Sequence, residues 1–441
     1  MTKVRSLEEL RYAFPPDGSS EKLLTGIQAL AAAPIVMSLY DAAKGRHTAG
    51  FVSGYRGSPL AALDKEFERI RERLALARVH FHHGMNEDLA ATSIYGKQTL
   101  AFFPKPKYDG VYCMWYGKGP GLDRSGDVFK HANAAGTSPL GGVLAVVGDD
   151  HACKSSTMPH QSDQFFRAMR MPYLVPADVE DILRLAQYGW ELSRCSGLWV
   201  GFIVVAELAD ASQIVSVNPY PEIIIPTMEL PSGGLNIRLP DDPMEQEIRV
   251  HTYRLEMAKR FVALNNLNVV THDTPRPSLG IVASGKSYRD TLEAFQLLGL
   301  SSDMLRDLGI RVMKVGMPWP LSLESMRGFL ADLPRVLVVE EKQNVIEDQL
   351  KAGLYNLFFK RLTIVGKQTA SMMPLLPEVG ELTPAEIAVA LLEQPLPTRS
   401  WPKEVALRAE HLRMIVKEAK KHLKEAENKF TRIRKELGEE V

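Results

Sequence analysis

Short apolar, β-branched runs that end in glycine alternate along the chain with longer segments of helical period. In the first part the strand-like runs are Thr48–Ser53, Gly110–Tyr116, Val143–Val147 and Trp199–Ala206. Helix-like segments lie around Lys22–Ala43, Leu60–Arg73, Glu87–Leu100 and Val179–Ser193. That alternation predicts parallel α/β units wound into a sheet. Ligands of such sheets bind beyond the carboxyl ends of the strands, so the residues after each run are the ones to inspect for chemistry.

From Asn218 to Pro243 the pattern changes. Pro219, Pro221, Pro226, Pro231 and Pro240 disfavour a continuous element, and the stretch reads as a connector. A second α/β pattern then runs from Leu279 to about Val365, with strands Gly280–Ala283, Arg311–Val315 and Val336–Val339 and helices Tyr288–Leu298 and Leu323–Leu333. Beyond about Glu404 the chain becomes highly charged. Its apolar positions Leu412, Val416, Ala419, Leu423, Ala426, Phe430, Ile433 and Leu437 are spaced alternately by four and three, which puts them on one seam of a helix. The seam suits a contact with another subunit and equally a helix folded back on its own domain.

Composition narrows the class. At 441 residues the chain is long for one core, and 45% hydrophobic with 24% charged residues is ordinary for a folded globular protein. Lys plus Arg and Asp plus Glu balance at 53 each, so net charge supplies no attraction to nucleic acid or anionic membrane. Cys113, Cys153 and Cys195 form no CxxC pair, which argues against a disulfide framework or a zinc or iron–sulfur ligand set and suits a reducing cytoplasm. The most apolar early stretch, Ala29 to Tyr40, is interrupted by Pro34 and is well short of the ~20 residues of a bilayer crossing, so no span or signal peptide is expected.

Four polar segments follow the strand-like runs. Gly54-Tyr55-Arg56-Gly57-Ser58-Pro59 crowds two glycines, a hydroxyl and a proline into one turn, which permits close backbone approach to a ligand but is equally a tight turn starting a helix. Met85-Asn86-Glu87-Asp88 opens a helix, where carboxylates complement the positive helix end; Glu87 could instead face a partly buried site with a perturbed pKa. Trp115 to Asp127 gathers glycines, Lys118, Asp123, Arg124 and Asp127 in one loop that suits an anionic ligand, without the spacing of a Walker or GxGxxG motif. Gly148-Asp149-Asp150-His151 continues through Lys154-Ser155-Ser156-Thr157 to His160-Gln161-Ser162. His151 and His160 have no HExxH spacing or carboxylate cage beside them, so loop hydrogen bonding is favoured over a metal site, and no metal ligand set is expected in this chain.

Taken together, GYRGSPLAALDKE, NEDLAATSIYGKQ, the long run from Trp115 to Asp163 and SLGIVASGKSY resemble the indolepyruvate ferredoxin oxidoreductase family, over about Leu23 to Leu392. The resemblance implies an α/β chain with a thiamine-diphosphate-binding fold of pyrimidine type over residues 1–217. A connector over 218–277, a transketolase C-terminal-like α/β domain over 278–375, a linker over 376–402 and a charged amphipathic helix over 403–441 would follow. It further implies an alpha-type subunit of a 2-oxoacid:ferredoxin oxidoreductase, which decarboxylates an arylpyruvate-like 2-oxoacid to an acyl-CoA and passes electrons to ferredoxin. The cofactor performs the difficult chemistry, and the protein orients and activates it.

By the same resemblance, Glu87 matches the glutamate that hydrogen-bonds the aminopyrimidine ring nitrogen, and Ser58 the hydroxyl that approaches the substrate or thiazolium. Gly57, Lys118, Gly119 and Asp123 would line the cofactor pocket, while Arg124 or Lys154 would pair with the oxoacid carboxylate. The family's diphosphate and magnesium site uses a Gly-Asp-Gly motif, and Gly148-Asp149-Asp150 does not match it. Thiamine diphosphate is therefore expected to be shared with a partner subunit carrying the diphosphate domain, magnesium and iron–sulfur clusters, with a 2-oxoacid reductase gamma-type subunit or domain completing the complex. The alternatives are a non-catalytic assembly or regulatory subunit that keeps the fold, and a fragment of a fused enzyme.

Overall fold

The computed structural model describes residues 21–156, 158–356, 362–396 and 399–436. Residues 1–20, Thr157, Leu437 and the side chains of Leu423, Ala426, Phe430 and Ile433 lie outside the described residues.

The first half runs β1 (Glu21–Thr25), α1 (Gly26–Ala43), β2 (Thr48–Gly54), α2 (Leu63–Arg69), α3 (Arg71–Leu76), β3 (Val79–His83), α4 (Glu87–Gln98), β4 (Gly110–Lys118), α5 (Gly119–Arg124), α6 (Gly126–Ala135) and β5 (Val143–Asp149). It continues through α7 (Asp163–Ala168), β6 (Tyr173–Leu174), α8 (Val179–Ser196), β7 (Val200–Val205), α9 (Ala206–Asp210) and β8 (Ser212–Ser216). Six strands form one parallel sheet in the order β3-β2-β4-β5-β7-β6. Strands β2, β5 and β7 are buried at every position, as a parallel sheet covered on both faces requires.

The helix expected from Lys22 starts instead at Gly26. Thr25 is its N-cap: the hydroxyl accepts from the Gln28 N–H while the Gln28 side chain accepts from the Thr25 N–H, and this reciprocal box stops the helix there. The preceding residues pair as β1 with β8 in a separate antiparallel ribbon. Pro34 sits inside α1 rather than ending it. By length and composition this 18-residue helix could cross a membrane, but 78% of it is buried in the protein, against α8 and the sheet, as in a core helix. At the amino edge of the sheet, Arg194 of α8 reaches both Asp41 carboxylate oxygens at 2.7 Å and Glu191 at 2.7 Å, and Arg46 joins the same pair of acids. This buried charge cluster ties α1 to α8 opposite the polar loops.

Between Ser216 and Pro243 no helix or strand forms, in keeping with the prolines. The remainder runs α10 (Pro243–Ile248), α11 (Leu255–Leu264), β9 (Asn268–His272), β10 (Leu279–Ser284), α12 (Gly285–Leu298), α13 (Ser302–Leu308), β11 (Ile310–Val315), α14 (Leu323–Leu330) and β12 (Arg335–Val339). α15 (Ile346–Leu354), β13 (Thr363–Val365), α16 (Pro384–Leu392) and α17 (Lys403–Glu436) complete it. The second sheet has the order β13-β12-β10-β11-β9, and only β9 is antiparallel. The stretch expected to be connector up to residue 277 thus contains two helices and an edge strand of the second sheet. Along α17, Val405 and Ala409 are buried and Leu412 is half-buried in the core beneath α12 and α16, while Arg413 and Lys420 pair with Glu393 and Glu386. The first turns of the seam therefore pack on their own unit.

The two sheets are joined at the end that carries the polar loops. Tyr173 and Val175 donate backbone N–H groups to Trp319 and Gly316, Lys314 meets Asp181 at 2.5 Å, and the Gln161 side chain exchanges two hydrogen bonds with the Gln343 backbone.

Candidate functional site

The sheet places the segments after β2, β4 and β5, with the start of α4, along one edge. In the turn after β2 the Tyr55 N–H donates to the Tyr116 carbonyl, which fixes the turn against β4. Ser58 is half-buried and its hydroxyl touches that of Ser155, while Ser156 Oγ donates to the Ser58 carbonyl at 3.4 Å. Gly57 lies against the Lys118 stem: a methyl group on Gly57 would fall 2.9 Å from Lys118 Cδ.

Glu87 is the first residue of α4 and is 5% exposed. Asn86 caps the helix by accepting the Leu89 N–H at 2.8 Å, and the Trp115 indole N–H donates to the Glu87 carbonyl at 3.1 Å. The carboxylate accepts no hydrogen bond from any described residue; its nearest cation is Arg124 Nη1 at 3.7 Å. Asp88, by contrast, is half-exposed and takes Arg124 at 3.1 Å, the role of an ordinary acid in a first helical turn. Gly121 of α5 closes over Glu87, and a methyl group there would fall 2.7 Å from Oε1.

Between these segments lies a triad centred on His160, a residue whose sequence context pointed only to loop hydrogen bonding. His160 is buried, with Nδ1 3.3 Å from Asp149 Oδ1 and Nε2 3.0 Å from Asp123 Oδ2. Ser162 holds Asp149 through its N–H at 2.8 Å and its hydroxyl at 2.7 Å. Burial opposes charge on His160, but its hydrogen bonds to two carboxylates outweigh it and push its pKa up to about 9. Asp149 has its pKa lowered despite complete burial, through His160, the nearby His151 and Ser162. Gly119 runs directly beneath the imidazole, where a methyl group would fall 2.0 Å from Nδ1.

Asp150 folds the following loop, its carboxylate accepting the N–H groups of Lys154, Ser155 and Ser156. Lys154 is held between Glu207 at 2.5 Å and Glu381 at 2.7 Å, so it bridges the two sheets. Its pKa is raised by those two carboxylates. Lys286 continues the network to Glu381, Asp290 and Glu341. Among the cations of the segments after β2, β4 and β5, Arg124 and Lys154 are thus ion-paired, while Arg56 and Lys118 have no ion-pair partner among the described residues. No group of three or more His, Cys, Asp or Glu among the described residues is arranged to hold a metal ion. Tyr55, Met85, Leu89, Met158 and Phe165, each close in sequence to Ser58, Glu87 or His160, are exposed.

A solved 2-oxoglutarate:ferredoxin oxidoreductase from Magnetococcus marinus shares this architecture, with a TM-score of 0.58 and 16% identity over 85% of this chain and 65% of that one. The chain is an α/β protein built on two largely parallel sheets, the fold that this oxidoreductase shares. The family described as the indolepyruvate oxidoreductase domain matches residues 269–425. Indolepyruvate oxidoreductase subunit IorA of Methanothermobacter thermautotrophicus is 26% identical over 309 residues, 69% of this chain and 45% of that protein. The IorA subunit of Pyrococcus abyssi is 25% identical over 344 residues, 76% of this chain and 48% of that protein. These matches make the chain similar to indolepyruvate oxidoreductase IorA subunits. The chain spans about half the length of the curated relatives it matches.

Proposed function

We propose that this chain is the alpha-type, pyrimidine-binding subunit of a 2-oxoacid oxidoreductase that converts an arylpyruvate-like 2-oxoacid and coenzyme A to an acyl-CoA, with ferredoxin as acceptor. Residues 1–217 would form the pyrimidine-binding domain and 278–375 the transketolase C-terminal-like one, with β9 added to the latter. The observation that carries this reading is Glu87: a buried carboxylate without a hydrogen-bond partner among the described residues, at a helix start beneath Gly121. Arg124 at 3.7 Å is too far to donate a hydrogen bond, so the carboxylate keeps its capacity to accept or share a proton, and an aminopyrimidine ring nitrogen is a partner of suitable polarity.

When bound, thiamine diphosphate supplies the carbon nucleophile and the electron sink for decarboxylation. Glu87 would hold a proton at the pyrimidine ring nitrogen, and the turn at Gly57 and Ser58, with Gly119 and Asp123, would line the pocket. The Ser58 hydroxyl would face the substrate. For the oxoacid carboxylate we favour Lys118, with Arg56, over Arg124 and Lys154, because a paired cation must give up a carboxylate to take another anion.

A partner chain carrying the diphosphate and magnesium site, iron–sulfur clusters and a gamma-type domain would complete the complex. In support, exposed Met85 and Leu89 flank Glu87 where such a partner would cover the cofactor. The three free thiols accord with a reducing, cytoplasmic setting. Calorimetric titration of the purified complex with thiamine diphosphate tests the reading: Glu87→Ala should weaken binding by about tenfold or more, and unchanged affinity would contradict it.

A further inference from the structure

The short helix α5 lies between two carboxyl systems. At its start, Gly119 passes beneath the His160 ring; two residues on, Gly121 presses on the Glu87 carboxyl. At its end, Asp123 accepts from His160 while the next residue, Arg124, reaches Glu87 at 3.7 Å and Asp88 at 3.1 Å. Whatever sets α5 against His160 therefore also sets the two groups of α5 that touch Glu87.

We infer that His160, held as an imidazolium between Asp149 and Asp123, is a positioning residue that fixes the Glu87 carboxyl through α5. The inference rests on the reading of Glu87 as the pyrimidine ligand. The geometry itself argues for the charged ring. Each nitrogen faces a carboxylate, and only the imidazolium can donate from both; a neutral ring would turn a lone pair toward one of them. The groups around it are Asp149 at the end of β5, Asp123 on α5, the Ser162 hydroxyl at 3.4 Å and the tilted ring of Phe165, with Asp163 and His151 coupled electrostatically to Asp149. Burial favours the neutral ring, but the two hydrogen-bonded carboxylates dominate and hold the proton up to about pH 9. Above that, the ring keeps one N–H for two carboxylates, so the tie of α5 through Asp123 is shared with the Asp149 tautomer and loosens at the end that carries Arg124.

The Asp123 carboxylate is about one-third exposed, so Asp123→Asn removes one side of the clamp without opening the core. The test compares wild type, Asp123→Asn, His160→Gln and Glu87→Gln in the complex with its partner chain, as thiamine diphosphate affinity and as kcat against pH. Wild-type activity should fall on the basic side with an apparent pKa near 9. In Asp123→Asn that limb should move toward neutral pH, and thiamine diphosphate should bind about tenfold more weakly at pH 8. A merely structural histidine would lower the folded fraction and leave the pH limb where it was. If His160→Gln does not fold, Asp123→Asn decides alone. Unchanged profiles and affinities in Asp123→Asn, with Glu87→Gln inactive, would overturn this inference and leave the pyrimidine reading intact. Full activity of Glu87→Gln would remove both.

Discussion

Gly121 lies so close to Glu87 that a single added methyl group would stand 2.7 Å from the carboxyl oxygen Oε1. Alanine is worth up to about 1 kcal/mol more than glycine inside a helix, but the added methyl would also stand 2.6 Å from Glu87 Cγ, so that gain is offset by displacement of a buried side chain. What Gly121→Ala cannot leave intact is the position of Glu87. Thiamine diphosphate should bind about tenfold more weakly to a complex carrying Gly121→Ala, while its thermal midpoint stays within a few degrees of wild type. Equal affinity would show that the carboxyl position is immaterial.

The cations separate by their existing partners. Lys154→Met should leave the KM for the oxoacid within about twofold, since that lysine is spent on Glu207 and Glu381, and an exposed pair of this kind contributes about 0–1 kcal/mol to stability. Lys118→Met should raise the same KM by about tenfold or more, the value of a charge-assisted hydrogen bond. Steady-state kinetics with varied oxoacid decide the matter, and the reverse pattern would assign the carboxylate to Lys154.

At the opposite edge of the sheet, Arg194→Ala would leave Asp41, 1% exposed, with Arg46 and Thr48 alone, and Glu191 with Arg46 alone. Breaking one partner of a buried ion cluster costs about 3–5 kcal/mol, so urea unfolding should shift to clearly lower denaturant. A loss below about 1 kcal/mol would mean that Arg46 replaces Arg194 fully.

His160 also contributes to stability with a definite sign. Its folded pKa is raised above the ordinary value of 6.5, so the stabilisation is fully present below about pH 6.5 and is lost as the pH rises through about 9. The difference in unfolding midpoint between wild type and His160→Gln should accordingly be largest near pH 6 and shrink by pH 10. A difference that does not vary with pH would contradict a charged His160.

The central strands were legible because Val143–Val147 and its neighbours are apolar at consecutive positions and run into glycine or polar loops. β1 was not, because Lys22–Thr25 continues smoothly into the helical pattern of α1 and only the Thr25–Gln28 box marks the boundary. β9 escaped for a related reason: Asn268–His272 is a short, partly exposed edge strand beyond a helix, in a region whose prolines promised a connector. Glu87, Ser58 and the glycines of α5 stood out as residue types at strand ends. The triad of Asp149, His160 and Asp123 did not, since it closes across loops that bring three segments together, and no spacing encodes that. Glu381, the acid that occupies Lys154, lies in the second half of the chain, so its pairing is a product of how the two sheets dock.

The measurement that bears most directly on the whole account is thiamine-diphosphate-dependent oxidation of an arylpyruvate, with coenzyme A and a viologen acceptor, by the purified complex containing either wild-type chain or Glu87→Gln. Wild-type activity that falls by about a hundredfold or more in an intact Glu87→Gln complex is the expected result, as for removal of a general acid–base group. Equal activity in the two would contradict the assignment of Glu87, and no activity on any 2-oxoacid in either would favour an assembly or regulatory subunit built on the same fold.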